Sequence, residues 1–168
     1  MTQIIQPVAT TPVRLDRYSL EHAAQTAVGA TVALLVARLF KLPESYWAAI
    51  TTMIILQSTL GAALSVAAVR FIGTALGAAA GGLIASYFGP NFYIFGAGIF
   101  LLGILAAALH LDRSAFRFAG ITLAIVMLVP RTHSPWIVAA RRFVEVSIGI
   151  VIGLLLTAVW PERQALPE

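Results

Sequence analysis

Six apolar stretches separated by short polar turns run along the chain. The first, Leu20 to Phe40, is about 21 residues, enough to cross a hydrocarbon core of about 30 Å at 1.5 Å per residue. Lys41-Leu-Pro-Glu-Ser45 ends it. The second, Tyr46 to Ser58, reaches only about 20 Å, too short to span comfortably. The third runs from Ala62 to Phe88, carries Arg70 in its first turns and stops at Gly89-Pro90-Asn91. A fourth covers Phe92 to Leu109, and a short fifth covers Ala115 to Val129 before Pro130. The sixth opens at Ser134 with Pro135 in the first helical position, a good helix start, and runs to Trp160. The pattern predicts an all-α, polytopic membrane protein of six transmembrane helices, with helices two and five short.

The same pattern contains a repeat. Trp47-Ala-Ala-Ile-Thr-Thr-Met-Ile-Ile-Leu56 resembles Phe118-Ala-Gly-Ile-Thr-Leu-Ala-Ile-Val-Met127, and Arg70-Phe-Ile-Gly-Thr-Ala-Leu-Gly77 resembles Arg142-Phe-Val-Glu-Val-Ser-Ile-Gly149. Both pairs sit about 71 to 72 residues apart, so they share one register. The turns before helices two and five are also alike, Lys41-Leu-x-x-Ser45 against His110-Leu-x-x-Ser114, whereas helices one and four share little. Two three-helix units, residues 20–88 and 92–160, make one six-helix module between tails 1–19 and 161–168. Three is odd, so consecutive copies must be inverted in a bilayer, as in many secondary transporters. Short segments at corresponding places in the two halves point to a solute site, because lipid does not tolerate unsatisfied backbone.

Composition agrees with a lipid environment: the chain is 60% hydrophobic and 11% charged, with mean hydropathy +0.91. Met1 to Pro12 has no basic segment leading into an apolar core, so a cleavable signal is not expected. The absence of cysteine excludes disulfides and thiolate chemistry. The net charge of +4 is spread over several turns, which argues against a nucleic-acid track and leaves lipid headgroups and anionic solutes as negative partners. With the N-terminus inside, basic residues divide six against five across the membrane, the near balance that inverted copies produce.

Arg70 and Arg142 each fall about eight residues into their predicted helices, roughly 12 Å along the axis, so they approach the midplane from opposite sides. An arginine at that depth needs water, a counter-charge or carbonyls, and its planar fork suits carboxylates. The alternative is snorkelling to the headgroups. Trp47, Thr51 and Gln57, with Thr122 as the repeat of Thr51, could line a solute path; membrane threonines also bond their own helix carbonyls, and tryptophan also marks interfaces. Glu145 lies one turn from Arg141 and Arg142, which suggests a local ion pair, with proton coupling as the other reading. Gly73, Gly77 and Gly81, with Gly149 and Gly153, give helices three and six smooth packing faces. His22, His110 and His133 lack ligand spacing, and no metal, cofactor or catalytic constellation is expected.

The run Tyr46-Trp-Ala-Ala-Ile-Thr-Thr-Met-Ile-Ile-Leu-Gln-Ser-Thr-Leu-Gly61, followed by Arg70-Phe-Ile-Gly-Thr-Ala-Leu-Gly77, resembles the fusaric acid resistance protein-like family. That family belongs with the aromatic acid exporters and, more distantly, the plant aluminium-activated malate transporters. The resemblance implies a six-helix module in the bacterial inner membrane, N-terminus cytoplasmic, concerned with efflux or conduction of organic anions such as aromatic carboxylates. By similarity, Trp47, Thr51, Gln57, Arg70 and Gly73 fall on the family's recurrent positions. Larger members carry more than one such module, so a lone module is expected to work as a homo-oligomer. A non-transporting accessory or scaffold subunit is the alternative.

Overall fold

The computed structural model describes residues 17–56, 59–130 and 133–160. Gln57 and both tails' outer residues lie outside the described residues, as does Arg131. The described residues form six helices: α1 Arg17–Leu39, α2 Tyr46–Leu56, α3 Leu60–Phe88, α4 Phe92–Ala108, α5 Arg113–Leu128 and α6 Pro135–Val159. All expected elements are present. The largest shifts of a boundary are at α1, which starts three residues early, and at α3 and α5, which each start two residues early.

Turn chemistry explains most ends. Asn91 caps α4 by accepting the Tyr93 and Ile94 N–H groups at 2.9 and 3.3 Å, and Asp112 caps α5 by accepting the Ser114 N–H at 2.7 Å. That bond, joined by the Ser114 hydroxyl, holds the Asp112 carboxyl below its usual range. Ser134 has the extended backbone of a cap and Pro135 follows as expected, but the Ser134 side chain makes no capping bond.

The C-terminal ends of α1 and α4 are built alike, although the helices themselves share little sequence. Lys41 and His110 both adopt positive φ, 55° and 51°. Lys41 N–H donates to Arg38 and Leu42 N–H to Ala37, at 2.8 and 3.2 Å; His110 N–H donates to Ala107 and Leu111 N–H to Ala106, at 3.1 and 2.9 Å. Each is a Schellman closure with leucine following the left-handed residue. The repeat therefore extends to the helices where sequence identity fades.

Packing repeats as well. α2 lies on α6 while α5 lies on α3; α1 touches α2 and α6 while α4 touches α5 and α3; and α3 crosses α6 at the centre. Exchanging the two halves maps this arrangement onto itself. The contacts are close because the faces are small: a Cβ at Gly77 would strike the Ala119 carbonyl oxygen beside Thr122, and one at Gly149 would strike the Ala48 carbonyl oxygen beside Thr51. Gly81 meets Val126 as Gly153 meets Ile55, and Gly73 meets Ala115 and Phe118. The glycine faces thus serve packing within one chain, on the short helices of the opposite half.

Much of the interior is alanine, including Ala33, Ala37, Ala48, Ala63, Ala67, Ala115 and Ala119, whereas large apolar side chains such as Leu35, Phe100, Leu101, Ile104 and Leu155 face outward. Without a hydrophobic drive between helices in lipid, small residues that admit close backbones hold such a bundle, and large apolar ones meet the acyl chains. Leu20–Leu39, α3 and α6 are long and apolar enough to cross a membrane. α2 is 11 residues and α5 is 16, so about 17 and 24 Å long. α2 packs on α6 and α1, and α5 on α3 and α4. α4 is also short, at 17 residues.

Candidate functional site

The close α2–α6 and α5–α3 crossings bring each embedded arginine onto an aromatic ring of the other half. Arg70 lies about 15 Å along α3 from Leu60, deeper than the sequence suggested because the helix begins earlier; Arg142 lies about 10 Å into α6. The Arg70 guanidinium carbon is 4.6 Å from the centroid of Phe118, and that of Arg142 is 3.5 Å from the Trp47 ring. Trp47 and Phe118 are the first residues of the repeated string. The two cation–π pairs are therefore equivalents under the repeat.

Both arginines are buried, with 4% and 3% of their surface exposed. A buried guanidinium needs acceptors for its fixed fork of donors. Arg70 has one: its Nε and Nη2 donate to Thr51 Oγ1 at 3.2 and 3.0 Å, and that hydroxyl in turn donates to the Trp47 carbonyl at 2.8 Å. Arg142 has none at Nε or Nη1, both buried without a hydrogen-bond partner. Thr122, the equivalent of Thr51, donates to the Phe118 carbonyl at 2.9 Å.

Between the two pairs lies a cavity of about 220 Å³ lined by Trp47 with Phe118, Ile50 with Ile121, Arg70 with Arg142, and Ile54, Thr74 and Thr122. Its first three pairs of walls are repeat equivalents, so it sits where the two halves meet. Its size suits a small organic molecule, below the range for larger ligands.

Two further cavities open at opposite ends of the bundle. One, about 220 Å³, lies between the α1–α2 and α5–α6 turns and is lined by Pro43, Glu44, Pro130, His133, Arg141, Arg142 and Glu145. The other, about 360 Å³, lies beside the start of α3 and the α4–α5 turn and is lined by Ser65, Val66, Val69, Asp112, Ser114, Arg117, Phe118 and Ile121. The first shares Arg142 with the central cavity, and the second shares Phe118 and Ile121 with it.

Of the residues singled out in the sequence, Arg70, Arg142, Trp47 and Thr122 converge on the central cavity. Thr51 stands behind it and holds Arg70. Thr52, its neighbour, donates to the Ala48 and Gly149 carbonyls and so braces α2 on α6. Glu145 stays within electrostatic reach of Arg142 and Arg141 on its own helix, and its Oε1 also accepts the backbone N–H of Glu44 at 3.2 Å, across to the α1–α2 turn. The reason is the close α2–α6 crossing, which puts that turn against the inner face of α6. Sequence reasoning missed Phe118, Ile50, Ile121 and Glu44; the register of the repeat, which pairs Trp47 with Phe118, was the available signal for the first. No cluster of metal-ligating residues occurs among the described residues.

An all-helical bundle of inverted halves, apolar outside and carrying buried arginines on a central cavity, is an integral membrane protein of the polytopic kind. The chain belongs to the fusaric acid resistance protein-like family, whose family model matches residues 30–156. It is 28% identical over 149 residues to "Uncharacterized transporter YdhK" of Escherichia coli K12, covering 83% of this chain and 22% of that protein. It is 32% identical over 155 residues to "Inner membrane protein YeeA" of the same organism, covering 87% of this chain and 42% of YeeA. The Salmonella typhimurium YdhK protein is 26% identical over 149 residues. The chain thus spans less than half the length of these relatives. No solved structure matches it.

Proposed function

We propose that the protein is a transport module for small organic anions such as aromatic carboxylates, exporting them across a bacterial inner membrane, with the central cavity on their path. The observation that carries this reading is Arg142: a buried guanidinium with unpartnered Nε and Nη1, shared by the central cavity and one mouth. A carboxylate is the acceptor a guanidinium prefers, and the aromatic and aliphatic walls suit a ring. Arg70 is the second cationic wall and Thr122 a polar one, with Trp47 and Phe118 flanking.

The family and the printed name of YdhK, an uncharacterized transporter, support a transport role. Every wall of the cavity comes from one module, so each copy of a homo-oligomer carries its own path. The exposed apolar faces of α1 and α4 remain for lipid or for packing between copies.

The test is flux of labelled benzoate in proteoliposomes, comparing wild type with Arg142→Gln. Flux in wild type that falls on the order of 100-fold in the variant, the scale of a lost buried charge contact, supports the reading. Equal flux in both removes Arg142 from the path, and no flux in wild type favours an accessory or scaffold subunit.

A further inference from the structure

The two halves differ most at the mouth between the α1–α2 and α5–α6 turns. There Glu145, 1% exposed, reaches from α6 to the Glu44 N–H. The Glu44 side chain accepts the indole N–H of Trp47 at 3.1 Å, and the Trp47 ring lies under Arg142, one turn from Glu145. These contacts form a closed loop of four residues around the unpartnered guanidinium. The other half has no counterpart, because the register that pairs Arg70 with Arg142 puts Gly73 opposite Glu145, and the Phe118 ring has no N–H to match the Trp47 indole.

We propose that Glu145 is a proton-binding site linked to anion occupancy at Arg142, so that the proton and the organic anion bind this mouth together. The inference rests on the anion reading of Arg142 given above. A carboxylate beside Arg142 already answers part of its charge, and an arriving anion places a second negative charge in the same water-poor space, where charges interact strongly. A proton on Glu145, carried by the oxygen not engaged by Glu44, removes that repulsion. Linkage makes the effect reciprocal: the anion favours the proton as much as the proton favours the anion.

The other charged or titratable groups facing this carboxyl are Glu44 on the α1–α2 turn, Tyr46 on α2, and Arg141 and Arg142 on its own helix. Arg70 of α3 acts on Arg142, and His133 of the α5–α6 turn lines the same mouth. The α1 residues packed on this part of the bundle, Ala33 and Ala37, are uncharged. Glu44 cannot replace Glu145 in this role, because it lies on the turn and its carboxylate is committed to the Trp47 indole.

Trp47 is a built-in reporter. With Trp136→Phe and Trp160→Phe as background, the full chain in nanodiscs is titrated with benzoate from about pH 5.5 to 8.5, where benzoate stays ionised. The apparent Kd is expected to tighten as pH falls, by up to about tenfold per unit for one linked proton. Glu145→Gln, which is permanently neutral, should flatten this dependence near the tight limit, and Glu145→Asp should retain a slope. An unchanged slope in Glu145→Gln, or a flat wild type that binds benzoate, overturns the proposal. If wild type binds no benzoate at any pH, the anion reading of Arg142 fails. The pH step of Trp47 emission without benzoate then decides on Glu145 itself: a step lost in Glu145→Gln and kept in Glu145→Asp supports the proton site, and no step, or an unchanged one, refutes it.

Discussion

The two halves share a backbone but not a chemistry. In both, an arginine from the long third helix of one half lies over the ring that opens the short helix of the other. On the Arg70 side, Thr51 takes two of the guanidinium donors. On the Arg142 side, Thr122 turns its hydroxyl to its own helix and the guanidinium's Nε and Nη1 are left without a hydrogen-bond partner. Inverted repetition therefore fixes where the charges stand, and single substitutions between copies decide which of them is free to meet a ligand. Glu145 opposite Gly73 is the clearest such substitution.

The largest effect expected from this difference is on ligand handling. Arg142→Gln should weaken benzoate binding and flux on the order of 100-fold, whereas Arg70→Gln should lower flux less, because part of Arg70's bonding capacity is already spent on Thr51. Isothermal binding and flux on the two variants side by side make the comparison; an equal loss in both would show that the halves act as equals.

The next effect is on stability. Gly77→Ala and Gly149→Ala each drive a methyl into a carbonyl of the opposing short helix, an overpacking cost of about 1–3 kcal/mol. Because the contacts repeat, the two costs should agree, as read by reversible unfolding in detergent mixtures. A loss at one site alone would mean that the halves do not pack equivalently.

Smaller still is the threonine pair. Thr51→Val removes the acceptor from a buried guanidinium and should cost about 1–3 kcal/mol. Thr122→Val loses only a bond to its own helix, which in membrane helices averages about 0.6 kcal/mol. Equal costs would remove the asymmetry claimed for the two arginines.

The elements were legible in the sequence because lipid leaves a helix few alternatives, and the polar turns at Lys41–Ser45, Gly89–Asn91 and His110–Ser114 mark their ends. The depth of the arginines followed from counting along α3 and α6. Their partners did not, because which ring lies over which arginine depends on α2 crossing α6 and α5 crossing α3, contacts between residues about 50 to 95 positions apart. The same crossing sets Glu145 against a turn about 100 residues earlier in the chain, a partner that spacing along one helix does not show. Likeness at the ends of α1 and α4 was visible as the shared Leu-x-x-Ser turn, but the left-handed conformation of Lys41 and His110 was not, because neither side chain announces it.

The most direct test of the central claim uses the absence of cysteine in the chain. Ile50 and Ile121, repeat equivalents on the cavity wall, are each replaced by cysteine and exposed to a water-soluble thiol reagent with and without benzoate. Both should be modified, and benzoate should protect both, because a single cavity between the arginines serves the two halves. Two inert cysteines, or labelling that benzoate leaves unchanged, would contradict a shared anion cavity.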